Sequence, residues 1–196
     1  MKLTKANVLT LWRVVTAPVF LVVWHVVPGL GGLIACLVLA SLSEISDGLD
    51  GYFARRDKTV SVFGKLIDPY ADSVFRLTVF FCFAANARGG WIPVWMPVLL
   101  FYRDVLTGVI RTFAMRKGIA FAARYSGKFK AISQAVALIM TLSLAVLFGE
   151  GVPAADFARL VATPLTGIVV VISLGSGIDY FVAARSVFSD DNTEGA

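Results

Sequence analysis

Six long apolar segments, separated by short polar or glycine-containing joints, dominate this sequence. They cover residues 9–27, 30–53, 69–87, 92–115, 132–148 and 160–183. A helix needs about 20 mainly apolar residues to cross the hydrocarbon core of a bilayer, and each segment approaches or exceeds that length. The segments show no strict alternation of apolar and polar residues, so a β-barrel is not expected. The sequence therefore predicts an all-α, polytopic membrane protein with six transmembrane helices.

The amino-acid composition also indicates a lipid environment. Hydrophobic residues make up 58% of the chain and charged residues 16%, with a mean hydropathy of +0.79. A water-soluble domain would need more polar surface. The net charge of +5 does not indicate a nucleic-acid partner, because the basic residues form short clusters between apolar runs and no single stripe. We expect membrane lipids around the protein and no nucleic acid bound to it.

The basic clusters predict the topology. They lie at the chain ends and in the joints after the second and fourth segments: Lys2, Lys5, Arg55, Arg56, Lys58, Lys65, Arg116, Lys117, Arg124, Lys128, Lys130 and Arg185. The other joints carry Arg88 and Arg159. Cytoplasmic loops are enriched in Lys and Arg, so both termini are expected to be cytoplasmic. With no repeat or linker, residues 1–196 should form a single domain whose tail, 189–196, frays.

Four aspartates lie where the second predicted span ends and the third begins. Asp47 and Asp50 are three residues apart, and Asp68 and Asp72 are four apart, so each pair shares a helix face. Two neighbouring helices thereby direct four carboxylates at one place. A charged side chain within a span costs about 3 kcal/mol, and like charges repel one another. A compensating positive charge is therefore expected among the aspartates.

Divalent metal ions best match such an all-oxygen site. Mg²⁺ and Mn²⁺ prefer oxygen ligands, whereas Zn²⁺ favours His and Cys, and the only histidine, His25, lies at the far end of the first segment. Two ions held by four carboxylates suit displacement at phosphorus. We therefore expect two Mg²⁺ or Mn²⁺ ions and phosphate chemistry.

Small residues and an arginine flank the aspartates. Gly48, Gly51, Ala54 and Gly64 let a ligand or another backbone approach closely, and Arg55 is placed to meet a phosphate. Helix packing is the alternative role of the small residues. Capping or surface charge is the alternative role of the aspartates.

A divalent-cation transporter is an alternative class of function. A conduction path would need polar residues that continue to the outer side, but the second and third spans become apolar beyond the aspartates.

The segment 47–72 resembles the signature of the CDP-alcohol phosphotransferases without a gap or substitution. It reads Asp-Gly-Leu-Asp-Gly-Tyr-Phe-Ala-Arg over residues 47–55, followed after eight residues by Gly64 and then by Asp68 and Asp72. The resemblance implies a membrane enzyme, a homodimer, in which Asp47, Asp50 and Asp68 bind the metals. Asp72 would be a further ligand or the general base. It also implies that the CDP-lipid site is lined by Gly51, Ala54, Arg55 and Gly64.

The flanking segments are most similar to the bacterial phosphatidylglycerophosphate synthases of that family. These segments are 7–13, Arg103 with Asp104 and Arg111, 127–130 with Gln134, and 176–180. The similarity implies a bacterial inner-membrane enzyme with a cytoplasmic active site. It would transfer the phosphatidyl group of CDP-diacylglycerol to glycerol 3-phosphate and release CMP. Inositol phosphate, inositol and serine are the alternative acceptors.

The residues themselves give partial support for a phosphorylated acceptor. Arg103 and Arg111 are eight residues apart, so they share a helix face, and with Lys128 they form a candidate phosphate pocket. Alternatively, Arg103 pairs with Asp104 or Asp179, and Lys128 and Lys130 serve only topology.

Several further positions stay open. Asn7, Thr10 and Arg13 open the first span near the cytoplasmic face, where they can reach the nucleotide or its phosphates. Asn7 and Thr10 can equally cap that helix. Ser73 follows Asp72 where related synthases often have Lys, so Arg76 either replaces that charge or marks another acceptor.

Overall fold

The described part of the chain forms a bundle of six α-helices. The computed structural model describes residues 5–57, 62–88, 90–116, 125–148 and 152–189. The helices are α1 Lys5–Val26, α2 Gly29–Asp57, α3 Val62–Ala84, α4 Trp95–Arg116, α5 Tyr125–Phe148 and α6 Val152–Ser189, with a 3-10 turn Asn86–Arg88 after α3. No strand occurs within these ranges. The all-α prediction is confirmed, and each of the six predicted apolar segments lies largely within one helix.

The helices pack as two groups. α1 packs against both α2 and α3, and α6 packs against both α4 and α5. Contacts of α2 with α5, and of α3 with α4 and α5, join the groups. The N-terminal part of α3 lies beside α4, since the hydroxyl groups of Tyr70 and Thr112 hydrogen-bond each other.

The connection between α1 and α2 depends on glycine. Gly29 begins α2 with φ of 74°, in the left-handed region that glycine adopts without strain. A Cβ at Gly32 would lie 2.0 Å from the carbonyl oxygen of Val27. Only glycine at position 32 lets α2 start this close to the end of α1.

Aromatic rings fill one end of the core. Trp24 of α1 lies 4.9 Å from Trp91 and 5.6 Å from Phe83, measured between ring centroids. Arg88 lies over Trp24, with its guanidinium carbon 5.1 Å from the ring centroid, and donates from Nε to the carbonyl oxygen of Trp24. We call this group, Trp24, Phe83, Arg88 and Trp91, the aromatic end.

Within the ranges given above, three helices are long and apolar enough to cross a membrane, over Gly29–Leu49, Tyr125–Phe148 and Arg159–Arg185, and Trp12–Val26 is a shorter apolar stretch. The length and composition of these helices make the chain a multi-pass membrane protein. α3 and α4 carry several charged residues, among them Asp72, Arg76, Arg103 and Arg111, which lowers their hydropathy. Six crossings and cytoplasmic termini stay predictions. Ser189 still belongs to α6, and residues 190–196 lie outside the described part.

Candidate active site

Two of the four predicted aspartates meet at one arginine. Arg13 of α1 donates from Nη1 to Oδ1 of Asp47 on α2, at 2.9 Å. The same Nη1 forms an ion pair with Oδ1 of Asp72 on α3. The Arg13 side chain is 2% exposed, whereas those of Asp47 and Asp72 are 33% and 24% exposed. A single buried cation therefore lies between two carboxylates from neighbouring helices.

The other predicted metal and CDP-lipid residues lie on the same ends of the same helices. Asn7 and Thr10 are near the start of α1, Asp50, Gly51, Ala54 and Arg55 near the end of α2, and Gly64 and Asp68 near the start of α3. The side chains of these eight residues lie outside the described part of the structure, so their predicted roles stay predictions.

A second arginine holds the Asp47 carboxylate from the opposite side. Arg76 of α3 donates from Nη2 to Oδ2 of Asp47 at 3.0 Å, and from Nε and Nη2 to the two carboxylate oxygens of Glu44 at 2.9 and 2.7 Å. Arg76 thus faces α2, and its ion pairs give Glu44 a partner that the sequence did not suggest. We call Arg13, Glu44, Asp47, Asp72 and Arg76 the carboxylate end.

The donor atoms at the carboxylate end suit a hard divalent cation. Carboxylate oxygens are what Mg²⁺ and Mn²⁺ prefer, and the two Oδ1 atoms already share one positive partner. Among the described side chains, no group of three His, Cys, Asp or Glu converges on one point. The predicted metal set would have to include Asp50 and Asp68.

A cavity of about 380 Å³ opens beside Asp72, between α3, α4, α5 and α6. The three residues predicted to bind the acceptor phosphate, Arg103, Arg111 and Lys128, all line it. Arg76 and Lys130 add two more cations, against Asp72 and Asp104 as the acidic lining residues. The structure thus brings the predicted phosphate-binding residues together, next to one of the predicted metal ligands.

Arg103 is committed to contacts within the protein. It donates from Nε to the carbonyl oxygen of Ser173 at 3.1 Å, from Nη1 to Asp104 at 2.9 Å, and from Nη2 to Oγ of Ser176 at 2.7 Å. A Cβ at Gly177 would approach Cγ of Arg103 to 3.1 Å, so the glycine leaves room for the arginine. The structure contains the Arg103–Asp104 pair that the sequence offered as an alternative.

Lys130 lies inside the protein, where it has a structural partner in addition to any effect on topology. Its ammonium donates to both oxygens of Asp104, at 2.6 and 2.9 Å, and both side chains are less than a tenth exposed. The hydroxyl of Ser73 also hydrogen-bonds Asp104. Asp104 therefore joins α3, α4 and α5, and Ser73 contributes to this link from α3.

Arg111 and Lys128 make fewer contacts within the protein than Arg103 does, so they are more available to a ligand. Arg111 donates from Nε to the hydroxyl of Tyr180 at 3.3 Å and lies 5.8 Å from the centroid of that ring. Lys128 is exposed, with Nζ 5.7 Å from the Tyr125 ring centroid. Within the described residues neither has a carboxylate partner. These two side chains can bind an anion in the cavity without breaking an ion pair.

The sequence placed Arg13 near the nucleotide but did not predict its ion pairs with Asp47 and Asp72. It left Glu44 unassigned and did not pair Lys130 with Asp104. Each was visible only as a charged residue within or beside an apolar segment. Such residues are costly in a span unless paired, and that cost was the available signal.

Comparison with known proteins is consistent with this geometry. Residues 3–178 match the family model for CDP-alcohol phosphatidyltransferase. A CDP-diacylglycerol–glycerol-3-phosphate 3-phosphatidyltransferase of Treponema pallidum is 31% identical over 150 residues, covering 75% of this chain and 68% of the relative.

Two further relatives match over more of the chain. A probable phosphatidylglycerophosphate synthase of Mycobacterium tuberculosis is 29% identical over 182 residues, which are 91% of this chain and 80% of the relative. A CDP-diacylglycerol–glycerol-3-phosphate 3-phosphatidyltransferase of Rickettsia bellii is 27% identical over 182 residues, which are 93% of this chain and 96% of the relative.

Proposed function

This chain belongs to the CDP-alcohol phosphatidyltransferase family, and we propose that it transfers the phosphatidyl group of CDP-diacylglycerol to glycerol 3-phosphate. The products are phosphatidylglycerophosphate and CMP. The names of the relatives from Treponema pallidum and Rickettsia bellii support this choice of donor and acceptor. The observation that carries the proposal is the cavity that Asp72 shares with Arg111 and Lys128.

The cavity offers separate places for the two halves of a phosphorylated acceptor. Arg111 and Lys128 can hold its phosphate, because charge-assisted bonds from Arg and Lys are the usual means of binding phosphate. Asp72, on the same lining, can meet the acceptor hydroxyl. A volume of about 380 Å³ lies within the usual range for small-molecule sites. Arg103 and Lys130 shape the wall while staying paired with Asp104.

In the reaction the acceptor hydroxyl oxygen bonds to the lipid-side phosphorus of CDP-diacylglycerol. The bond from that phosphorus to the bridging oxygen breaks, and CMP leaves with the electron pair. When bound, a divalent cation supplies charge neutralisation at the pyrophosphate oxygens; Asp47, Asp50, Asp68 and Asp72 are its proposed ligands. Gly51, Ala54, Arg55 and Gly64, with Asn7 and Thr10, are the proposed CDP-lipid site.

Asp72 has two candidate roles toward the hydroxyl proton. If it is the general base, protonation would remove the negative charge that its ion pair with Arg13 depends on. If it only orients the hydroxyl, it keeps its charge and the proton leaves to water or phosphate. A cation beside Asp72, either Arg13 in the metal-free protein or a metal ion when bound, stabilises the charged carboxylate and favours the orienting role.

The membrane arrangement is part of the proposal. We propose six crossings, both termini in the cytoplasm, and a carboxylate end at the cytoplasmic face of a bacterial inner membrane. The distribution of Lys and Arg supports this orientation. We also propose a homodimer, as the family resemblance implies.

A divalent-cation transporter is the rival class of function. Conduction would require polar side chains from the carboxylate end to the other side of the bundle. Between α1 and α3, the buried aromatic residues Phe20, Phe75, Phe80 and Phe83 occupy that direction instead. Their burial favours the transferase.

Purified protein with CDP-diacylglycerol and Mg²⁺ or Mn²⁺ tests the proposal. Glycerol 3-phosphate, inositol phosphate, inositol and serine are supplied in separate reactions, and CMP and the lipid product are measured by mass spectrometry. We expect product only with glycerol 3-phosphate. Product with inositol phosphate alone would make inositol phosphate the acceptor. Metal uptake into proteoliposomes without any CMP release would favour the transporter.

Asp47→Asn removes a proposed metal ligand. Asp156→Asn makes the same chemical change at an exposed position of α6 and serves as a control. We expect CMP release to fall about 100-fold or more in the first variant and to stay unchanged in the second. Full activity of a folded Asp47→Asn protein would refute the site.

A further inference from the structure

The cation that joins Asp47 and Asp72 belongs to the protein. One nitrogen, Nη1 of Arg13, contacts Oδ1 of both carboxylates. These oxygens are the proposed metal ligands, so this inference rests on the proposed function. A metal ion and a guanidinium cannot both take up the space between the same two oxygens. Binding of one therefore opposes binding of the other.

Asp47 does not depend on Arg13 to stay in position. Its second oxygen, Oδ2, accepts a hydrogen bond from Arg76 at 3.0 Å, and Arg76 is itself fixed by two bonds to Glu44. If Arg13 withdraws, Arg76 still holds the carboxylate from the α3 side.

Arg13 supplies the positive charge between the two carboxylates. Its side chain is 2% exposed, in a part of the bundle where unpaired carboxylates would repel one another. It therefore neutralises the carboxylates whenever no metal is bound.

We propose that Arg13 is an exchangeable counter-ion: it holds Asp47 and Asp72 together in the metal-free protein and is displaced from them when a divalent cation binds. The displaced guanidinium stays beside the site on α1, where its planar set of donors can meet a phosphate oxygen. Arg13 is thus a positioning residue whose removal should strengthen metal binding.

Mn²⁺ binding to the full-length, chelator-treated protein tests this without any substrate. Free Mn²⁺ is measured by electron paramagnetic resonance during titration of the parent and of Arg13→Gln. We expect Arg13→Gln to bind Mn²⁺ about tenfold more tightly, since a competing charge-assisted contact is lost. It should also be less stable before the metal is added.

Two variants serve as controls. Arg13→Lys keeps a cation near the carboxylates and should stay within about threefold of the parent affinity. Arg88→Gln removes an arginine from the aromatic end and should leave the Mn²⁺ affinity unchanged. Unchanged or weaker binding by folded Arg13→Gln would overturn the exchange, because a guanidinium that only supports the site would weaken binding when removed.

A second measurement covers the case in which Arg13→Gln does not fold. In parent protein labelled with ¹⁵N-arginine, the guanidinium signals of Arg13 are assigned by their loss in Arg13→Lys. We expect them to shift when diamagnetic Mg²⁺ is added, and signals that stay in place at saturation would overturn the exchange. A parent protein that binds neither Mn²⁺ nor Mg²⁺ would overturn the metal site itself, and the exchange with it.

Discussion

The carboxylate end and the aromatic end use arginine in opposite ways. At the aromatic end, Arg88 donates to the carbonyl oxygens of Trp24 and Val27, and Trp91 donates from its ring nitrogen to the carbonyl of Arg88. The acceptors are backbone carbonyl oxygens, which are not part of the proposed ligand sites. At the carboxylate end, Arg13 and Arg76 bind side-chain oxygens that are themselves suited to a metal ion.

This difference separates an arginine that stabilises the fold from arginines that can exchange their partners. Backbone acceptors fix the end of α1 and the 3-10 turn against each other, and the tilted and edge-to-face rings around them are buried. Carboxylate acceptors beside an open cavity can change partners. We infer that mutations at the aromatic end affect folding alone, whereas those at the carboxylate end and its cavity also affect chemistry.

The largest effect on stability should come from the buried pair next to the carboxylate end. Lys130→Met leaves Asp104 with only part of its compensating charge, and breaking a buried ion pair costs about 3 kcal/mol or more. Because Asp104 keeps Arg103 and Ser73, we expect the lower value, measured by chemical unfolding in detergent.

Lys128→Met is the matched control, two residues away on the same helix but exposed. Its effect on the free energy of unfolding should stay within about 0.5 kcal/mol. Equal effects of the two variants would show that the Asp104–Lys130 pair does not hold α4 to α5.

A smaller effect, on catalysis alone, is expected from the cavity. Arg111→Gln removes a proposed phosphate contact, so KM for glycerol 3-phosphate should rise about tenfold with little change in unfolding. Arg159→Gln, an exposed arginine on α6 that donates to the carbonyl oxygen of Gly90, is the control and should leave KM unchanged. An unaltered KM in Arg111→Gln would show that the acceptor phosphate binds elsewhere.

The smallest effect is expected at the aromatic end. Arg88→Gln should lower the free energy of unfolding by about 1 kcal/mol, because hydrogen bonds to backbone carbonyls and one cation–π contact are lost. CMP release per folded molecule should not change. Lower activity at unchanged stability would contradict the separation of the two ends.

The sequence predicted what spacing within one helix can encode. The six helices follow from the apolar segments, and the shared faces of Arg103 and Arg111 follow from an eight-residue separation. Spacing also located the aspartates, of which Asp47 and Asp72 are described and do approach each other through Arg13.

Pairing between helices could not be predicted in the same way. Arg13 and Asp47 are 34 residues apart, and their contact depends on how α1 and α2 are rotated about their axes. A helix that is apolar on nearly all sides has no polar face to indicate that rotation. Glu44 and Lys130 were left without a partner for the same reason, since Arg76 and Asp104 reach them from other helices.

The Arg13–Asp47 contact also bears on how the chain enters a bilayer. α1 and α2 are consecutive, and the short turn at Gly29 folds them into a helical hairpin with opposite charges facing each other near its open end. Charges that are paired within one hairpin are less costly to bring to membrane depth than the same charges carried singly. The first two helices can therefore be inserted together, before any later helix has been synthesised.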